Sequence, residues 1–570
     1  MAAVGTEGHL LIEAVTDLRE AVADSDLPFA VRDRDAALLT RRELLQQLDD
    51  YVLPRLRSID APLLAVVGGS TGAGKSTLVN SLVGAQVSRS GVIRPTTTRP
   101  VFVHHPDDER WFTDGRILPG LSRVTGVESE EAQAGTVRLA RSTALPAGMA
   151  LLDAPDIDSV VQANRELAGQ LLSAADLWLF VTTAARYADA VPWDLLRTAA
   201  DRGTAVAIIL DRVPPEAVDE IRPHLITMLR EQGLSTAPVF AVPEVQLTTE
   251  GFLPAEAMAR LKGWLDALAT DSRARSIVVS QTLKGAIASL ESRTHQLASA
   301  ARDQAAARQV LLAAVDEEFG RAHDEVKASM TDGTLLRGEV LARWQEFVGT
   351  GEFFRQVETT IGKWRDRITA AVKGGPPPAA NLGEALQTGV AALVTSHGES
   401  AITESVRDLR RSDGGDTVLA AHPDLAQGSP DFRSSVDRLV RDWQGEIFDM
   451  VRTEGGNRRT NARVAAYGVN GIGLFLMLVT FAQTGGLSGA EVGIAGGTSV
   501  LAQRVLEAVF GDQAVREMAT RARRSLLARI DGLYAVEKDR FVAAIEGVGN
   551  VEGQAARLDA AARAVAGAQQ

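Results

Sequence analysis

The stretch "GSTGAGKST" at residues 69–77 leaves few folds open to this chain. It follows the apolar run "PLLAVVG" (62–68) directly and leads into "TLVNSLVG". It matches G-x-x-x-x-G-K-[ST] without a gap, in the strand–loop–helix setting that the motif needs. Gly69, Gly72 and Gly74 let the backbone wrap closely around phosphates. With Ser70, Thr71 and Ala73 between them, they turn the loop's N–H groups inward. Lys75 places a point charge at the β- and γ-phosphates, Ser76 offers its hydroxyl to Mg2+, and Thr77 opens a helix whose N-terminus adds partial positive charge. A strand and a helix joined by such a loop predict an α/β domain.

The rest of the chain agrees over about 62–270. Apolar runs at 62–68, 99–105, 149–154, 176–183, 205–210 and 238–242 alternate with helical segments. That pattern predicts a mostly parallel sheet with helices on both faces. Residues 8–58 read as helices, and after about 275 the strand pattern stops and long helical stretches follow. The expected organisation is N-terminal helices packing with a stalk (1–58), a P-loop domain (59–272), a helical stalk (273–463), an apolar hairpin (464–511) and C-terminal stalk helices (512–570), with coiled-coil character in the stalk.

Composition closes off several chemistries. The 570 residues contain no cysteine, which excludes thiol catalysis, disulfide frameworks and Cys-ligated metals. The eight histidines are scattered, and His104 and His105, being adjacent, would face opposite sides of a strand. A net charge of −13 argues against a nucleic-acid-coating protein. The N-terminus lacks the basic and apolar regions of a signal peptide, so a cytoplasmic location is expected for the bulk of the chain.

Between Arg463 and Glu491 lie 27 uncharged residues, "VAAYGVNGIGLFLMLVTFAQTGGLSGA". A hydrocarbon core of roughly 30 Å takes about 20 apolar residues in a helix. The segment therefore reads as the first arm of a membrane-inserting hairpin; a buried helix of a bundle is the other reading. The second arm carries Glu491, which would cost roughly 2.5–3.5 kcal/mol at the centre of a membrane helix and far less near a hairpin tip. Arg452, Arg458, Arg459 and Arg463 before it, and Arg504, Arg516, Arg521, Arg523 and Arg524 after it, suit cytoplasmic ends beside anionic lipid.

Two further motifs follow the P-loop. "RPTTTRP" (94–100) offers Thr96, Thr97 and Thr98 in the loop where a GTPase senses γ-phosphate and Mg2+. "LLDAPDIDS" (151–159) puts Asp153 at a strand end, where a carboxylate can hold Mg2+ through water. In this order, followed by a long helical region with an apolar segment, these motifs resemble bacterial dynamin-like GTPases. The resemblance covers the nucleotide domain at motif level and the rest as architecture. It implies Thr97 as the switch threonine, because it stands three residues before Pro100. It also implies GTP/GDP and Mg2+ as ligands, Lys75, Thr97 and Thr71 as catalytic positions, and Ser76, Thr97 and Asp153 on the metal. Finally it implies nucleotide-driven pairing of heads, as a homodimer or with a related GTPase, and a membrane-binding tip.

This chain departs from the family pattern at three places. Asp156 replaces the Gly of D-x-x-G. Asp211-Arg212-Val213-Pro214 stands where the guanine-reading N/T-K-x-D is expected, with Asp211 left as a candidate acceptor for guanine and Arg212 to pack on the base. Thr71 occupies a position that dynamins often fill with Gln. An acid facing the γ-phosphate at 4 Å would cost about 4 kcal/mol at an effective dielectric of 20. Asp156 is therefore expected to turn to solvent, to Mg2+ or to a basic partner such as Arg94 or Arg99, and Asp158 to cap the next helix. The expected protein is a GTPase that remodels or scaffolds the cytoplasmic face of a bacterial membrane. The alternative is a membrane-anchored nucleotide-binding regulator with little turnover.

Overall fold

The structure, a computed structural model, describes residues 6–88, 100–125, 135–157, 162–331, 340, 342–343, 378–454, 469–482 and 495–569. The chain divides into two compact units, one of residues 1–27, 33–302 and 551–570, the other of residues 28–32 and 303–550.

The first unit is built on an eight-stranded sheet. Its strands are β1 (Leu63–Gly69), β2 (Val101–His104), β3 (Ser122–Thr125), β4 (Thr136–Arg141), β5 (Met149–Asp153), β6 (Leu177–Thr183), β7 (Ala205–Val213) and β8 (Val239–Pro243). The order is β3-β4-β2-β5-β1-β6-β7-β8. All neighbours are parallel except β2 and β5. The six apolar runs each supply a strand. β3 and β4 have no such run: β3 is largely exposed and β4 alternates, so their sequences carry only a weak signal.

Alternation along β1 feeds two cores. Leu64 and Val66 join Phe102, Leu152, Phe180 and Ile208 on one face of the sheet. Leu63, Ala65 and Val67 join Leu151, Leu179 and Ile209 on the other. With both faces covered, the central strands are buried from end to end. The chain leaves β1 toward β5 on one side and β6 on the other. The carboxyl ends of β5, β1, β6 and β7 therefore form the crevice where ligands of open α/β sheets bind. The registers Val67↔Asp153, Gly69↔Val181 and Thr183↔Asp211 bring the ends of these strands together there.

A third core in this unit joins the N-terminal helices to the start of the helix Ser272–Ser329 and to Gln554–Ala568, through Val15, Leu18, Leu44, Leu48, Leu290, Leu297 and Leu558. A buried ion pair locks these helices to the sheet. Arg55 pairs with Asp176 and donates to the carbonyls of Ala61 (3.0 Å) and Pro62 (3.2 Å), while Asp176 Oδ2 accepts the Leu64 N–H at 2.8 Å.

The second unit is helical among its described residues. The helix Phe432–Glu454 buries Phe432, Val436, Leu439, Val440, Trp443, Ile447, Met450 and Val451, a face spaced by three and four. The described part of the first apolar arm is the helix Val469–Ala482, and residues 472–481 are buried throughout. Phe481 packs on Trp443 with ring centroids 5.6 Å apart, Phe448 lies tight against Gly473, and Arg523 donates to the Thr480 carbonyl at 2.6 Å. Among the described residues no helix is long and apolar enough to cross a membrane. Residues 472–481 of this arm are covered by the bundle. Residues 464–468 and 483–494 lie outside the described residues.

Candidate nucleotide-binding site

The P-loop takes the backbone that its glycines permit. Gly69, Gly72 and Gly74 have φ of 150°, 74° and 92°. A side chain at 69 would run into the Val181 carbonyl of β6, and one at 74 into the Asp211 carboxylate. Gly74 precedes the helix Lys75–Val83, which presents its N-terminus to the loop.

Lys75 is buried, its side chain 5% exposed. Its Nζ donates to the carbonyls of Gly69 (2.8 Å) and Ser70 (3.0 Å) and to Oδ1 of Asp156. The placement of Asp156 follows from the sheet. β5 lies beside β1, and past its end Ala154 N–H donates to Val67 O at 3.1 Å, carrying residues 154–157 across the top of β1. The carboxylate, 14% exposed, lands on the lysine that the motif reserves for phosphate. The expected cations, Arg94 and Arg99, lie outside the described residues, as does Asp158. Among the described residues the basic partner of Asp156 is Lys75.

Asp153 is fully buried. Its Oδ2 accepts from Ser76 Oγ at 2.7 Å and from Ser88 Oγ at 2.5 Å, while Oδ1 is buried without a hydrogen-bond partner. Burial pushes the carboxyl above its usual range, against the hydrogen bonds from Ser88 and Ser76 and the charge of Lys75. An orphan carboxylate oxygen next to the P-loop serine fits a divalent cation bound by few protein ligands and completed by water and phosphate. Ser88 was not foreseen. Buried Asn80 positions its segment, accepting from the N–H groups of Val87 (2.9 Å) and Ser88 (2.8 Å) and donating to Ser88 O at 2.7 Å. Thr96, Thr97 and Thr98 lie outside the described residues.

On the other side of the loop stand Asp211 and Arg212, at the end of β7. Asp211 is buried beside Gly74 with Oδ1 unpartnered, and burial raises its carboxyl to about 6. Arg212 takes a left-handed φ of 53°, strained for a residue with a side chain, and its Nε stands 3.8 Å from Asp211 Oδ2. Arg186, also unforeseen, donates from Nη1 to the Thr71 carbonyl at 3.1 Å. Ser70 Oγ is buried with no partner.

The glycine-shaped loop, its lysine, and the serine–aspartate pair at the switch point of the sheet define a P-loop nucleotide-binding domain. Residues 64–211, which span this α/β domain from β1 into β7, match the family model described as the dynamin family. A comparison with curated proteins finds no match. Two solved structures described as an oligomerised bacterial dynamin pair, for long-range sensing and tethering of membranes, align with 99% of this chain. They do so over 96% and 100% of their own lengths, at 9% and 10% identity and TM-scores of 0.41 and 0.42. LeoA, a bacterial dynamin GTPase from ETEC, aligns over 94% of this chain and 98% of its own, at 11% identity and a TM-score of 0.24.

Proposed function

We propose that the protein binds guanine nucleotide with Mg2+, hydrolyses it, and couples pairing of its GTPase domains to remodelling or scaffolding of an anionic membrane at the cytoplasmic face. The observation that carries this reading is the P-loop arrangement, with Lys75 at its centre and the Ser76–Asp153 pair beside it. Loop amides and Lys75 hold the β- and γ-phosphates and stabilise the charge that grows on them as water attacks. Mg2+, held by the Ser76 hydroxyl and on the Asp153 side, would neutralise the phosphate oxygens. The site has no glutamine at Thr71, and a second GTPase domain completing it is consistent with the family match.

A second reading, a membrane-anchored regulator with little turnover, is favoured by the Asp156 carboxylate on Lys75 and by Pro214 where a base-reading acid belongs. The membrane part of both readings rests on 464–511 and its arginine flanks. Because the described arm is covered by the bundle, membrane entry requires it to leave that packing. Hydrolysis of GTP and of ATP, titrated with anionic liposomes and paired with flotation, tests all of this. Lipid-stimulated GTP turnover is the expected result. Absent turnover with retained flotation selects the regulator, and failure to float removes the membrane role.

A further inference from the structure

Hydrolysis of a nucleoside triphosphate asks for positive charge on the transferring phosphoryl beyond what the P-loop lysine gives. Within "GSTGAGKST" only Lys75 is cationic. Among the described residues two arginines approach the loop from outside it. Arg212 lies by Gly74, near the loop's helix end. Arg186 reaches Thr71, two residues after the strand, and its surroundings are organised around that reach. It sits in the turn after β6, with its N–H on Thr183 O at 3.0 Å and its own carbonyl taking the Asp189 N–H at 3.1 Å. Asp189 Oδ2 accepts from Nε at 2.8 Å, which orients the guanidinium plane. Nη1 rests on the Thr71 carbonyl at 3.1 Å. β6 adjoins β1 in register, so the turn and the loop leave neighbouring strand ends together. The side chain is 41% exposed.

We propose that Arg186 is an arginine supplied in cis to the transferring phosphoryl group. The proposal rests on the hydrolysis reading above. With triphosphate bound, its guanidinium exchanges the Thr71 carbonyl for the oxygens of the γ-phosphoryl, and Asp189 keeps its plane. In the step it assists, the water oxygen bonds to the γ-phosphorus and the bond to the β,γ-bridging oxygen breaks. The nucleoside diphosphate leaves with that electron pair, and the water's proton passes to the inorganic phosphate. The charge spread over the equatorial oxygens is what a planar, permanently charged fork matches and a point charge matches less well.

The test uses the full chain and the variants Arg186→Ala, Arg186→Lys and Asp189→Asn. It reads single-turnover hydrolysis of GTP and ATP, affinity for a non-hydrolysable triphosphate analogue, and capture of GDP with aluminium fluoride. Arg186→Ala is expected to lower kcat by roughly 1,000-fold, to leave analogue affinity and Tm near those of the parent, and to abolish aluminium fluoride capture. Arg186→Lys recovers part of kcat, and Asp189→Asn loses less than Arg186→Ala. Parent-like kcat in Arg186→Ala, beside a parent protein that turns over, overturns this proposal and leaves the hydrolysis reading standing. Loss of analogue affinity in parallel with kcat reduces Arg186 to a brace of the loop and also overturns it. A parent protein that neither hydrolyses nor captures aluminium fluoride removes the hydrolysis reading and this inference together.

Discussion

Replacing Asp156 by Asn tests the contact that most distinguishes this site. Three acceptors hold the Lys75 ammonium: the carbonyls of Gly69 and Ser70 and the Asp156 carboxylate. An ammonium has three donors, so a phosphate oxygen reaches Lys75 only by displacing one of them. Asp156 is the charged one of the three and the one that a phosphate would repel most. Opposite charges about 4 Å apart attract by about 4 kcal/mol at an effective dielectric of 20. Asp156 keeps some exposure, and rehydration of the released carboxylate returns part of that energy. The net displacement cost is then about 1–3 kcal/mol, and its removal tightens nucleotide binding by about 5- to 150-fold at 1.4 kcal/mol per decade. Titration of a fluorescent guanine nucleotide should show Asp156→Asn binding more tightly than the parent. Asp156→Gly should do the same and also free the loop. The same pair stabilises the nucleotide-free protein, so the variant should have a lower Tm without nucleotide and a larger rise in Tm with it. Equal or weaker nucleotide binding by Asp156→Asn would refute the displacement argument, whatever the Tm.

Asp153→Asn should remove the Mg2+-dependent part of nucleotide affinity while leaving binding in EDTA within about threefold of the parent, since a neutral amide cannot replace a carboxylate toward a hard cation; paired titrations with and without Mg2+ check this. Asp211 is raised in the folded state from 3.8 to about 6. Its contribution to stability is therefore fully present below pH 3.8 and is lost as pH rises through about 6. At 1.36 kcal/mol per unit the penalty above that range is at most about 3 kcal/mol. Asp211→Asn should thus gain Tm over the parent at pH 7–8, with the gain shrinking steadily toward pH 4. Arg55→Leu leaves the Asp176 charge buried without its cation and should cost about 3–5 kcal/mol in chemical denaturation, with much of the loss recovered when Asp176→Leu is added.

The sheet was readable because buried parallel strands are continuous apolar runs, and the P-loop because its glycines answer to backbone geometry that other residues resist. β3 and β4 were not, since the edge strand β3 needs no apolar run and β4 beside it has only an alternating one. The partner that Asp156 has among the described residues, Lys75, is 81 positions earlier in sequence. Only the β1–β5 pairing brings the two together, and that pairing is a tertiary fact. Ser88 and Arg186 escaped for the same reason: a single serine or arginine in a polar segment has no periodicity to mark it. The apolar arm shows a different limit. Composition records how much surface must leave water and not what covers it. Bilayer and bundle core ask for the same residues, and the packing of this arm in the structure involves Trp443, Phe448 and Arg523, which lie elsewhere in the chain.

Asp156 bears on turnover as well as on affinity. A glycine at this position offers the γ-phosphate a backbone N–H and nothing else, so the loop can approach as closely as sterics allow. A carboxylate cannot stay there: within 4 Å of a phosphate oxygen it costs about 4 kcal/mol at the same dielectric. On the proposed reading, triphosphate on Lys75 would therefore displace residues 154–157 from the seat they hold across the top of β1. That segment follows Asp153 directly, so the displacement begins beside the carboxylate on the metal side. Loss of the γ-phosphate removes the repulsion and leaves Lys75 attractive again. The exchange of one anion for another on a single buried lysine is thus sufficient to give the loop two positions tied to nucleotide state, even though the glycine usual at this hinge is absent.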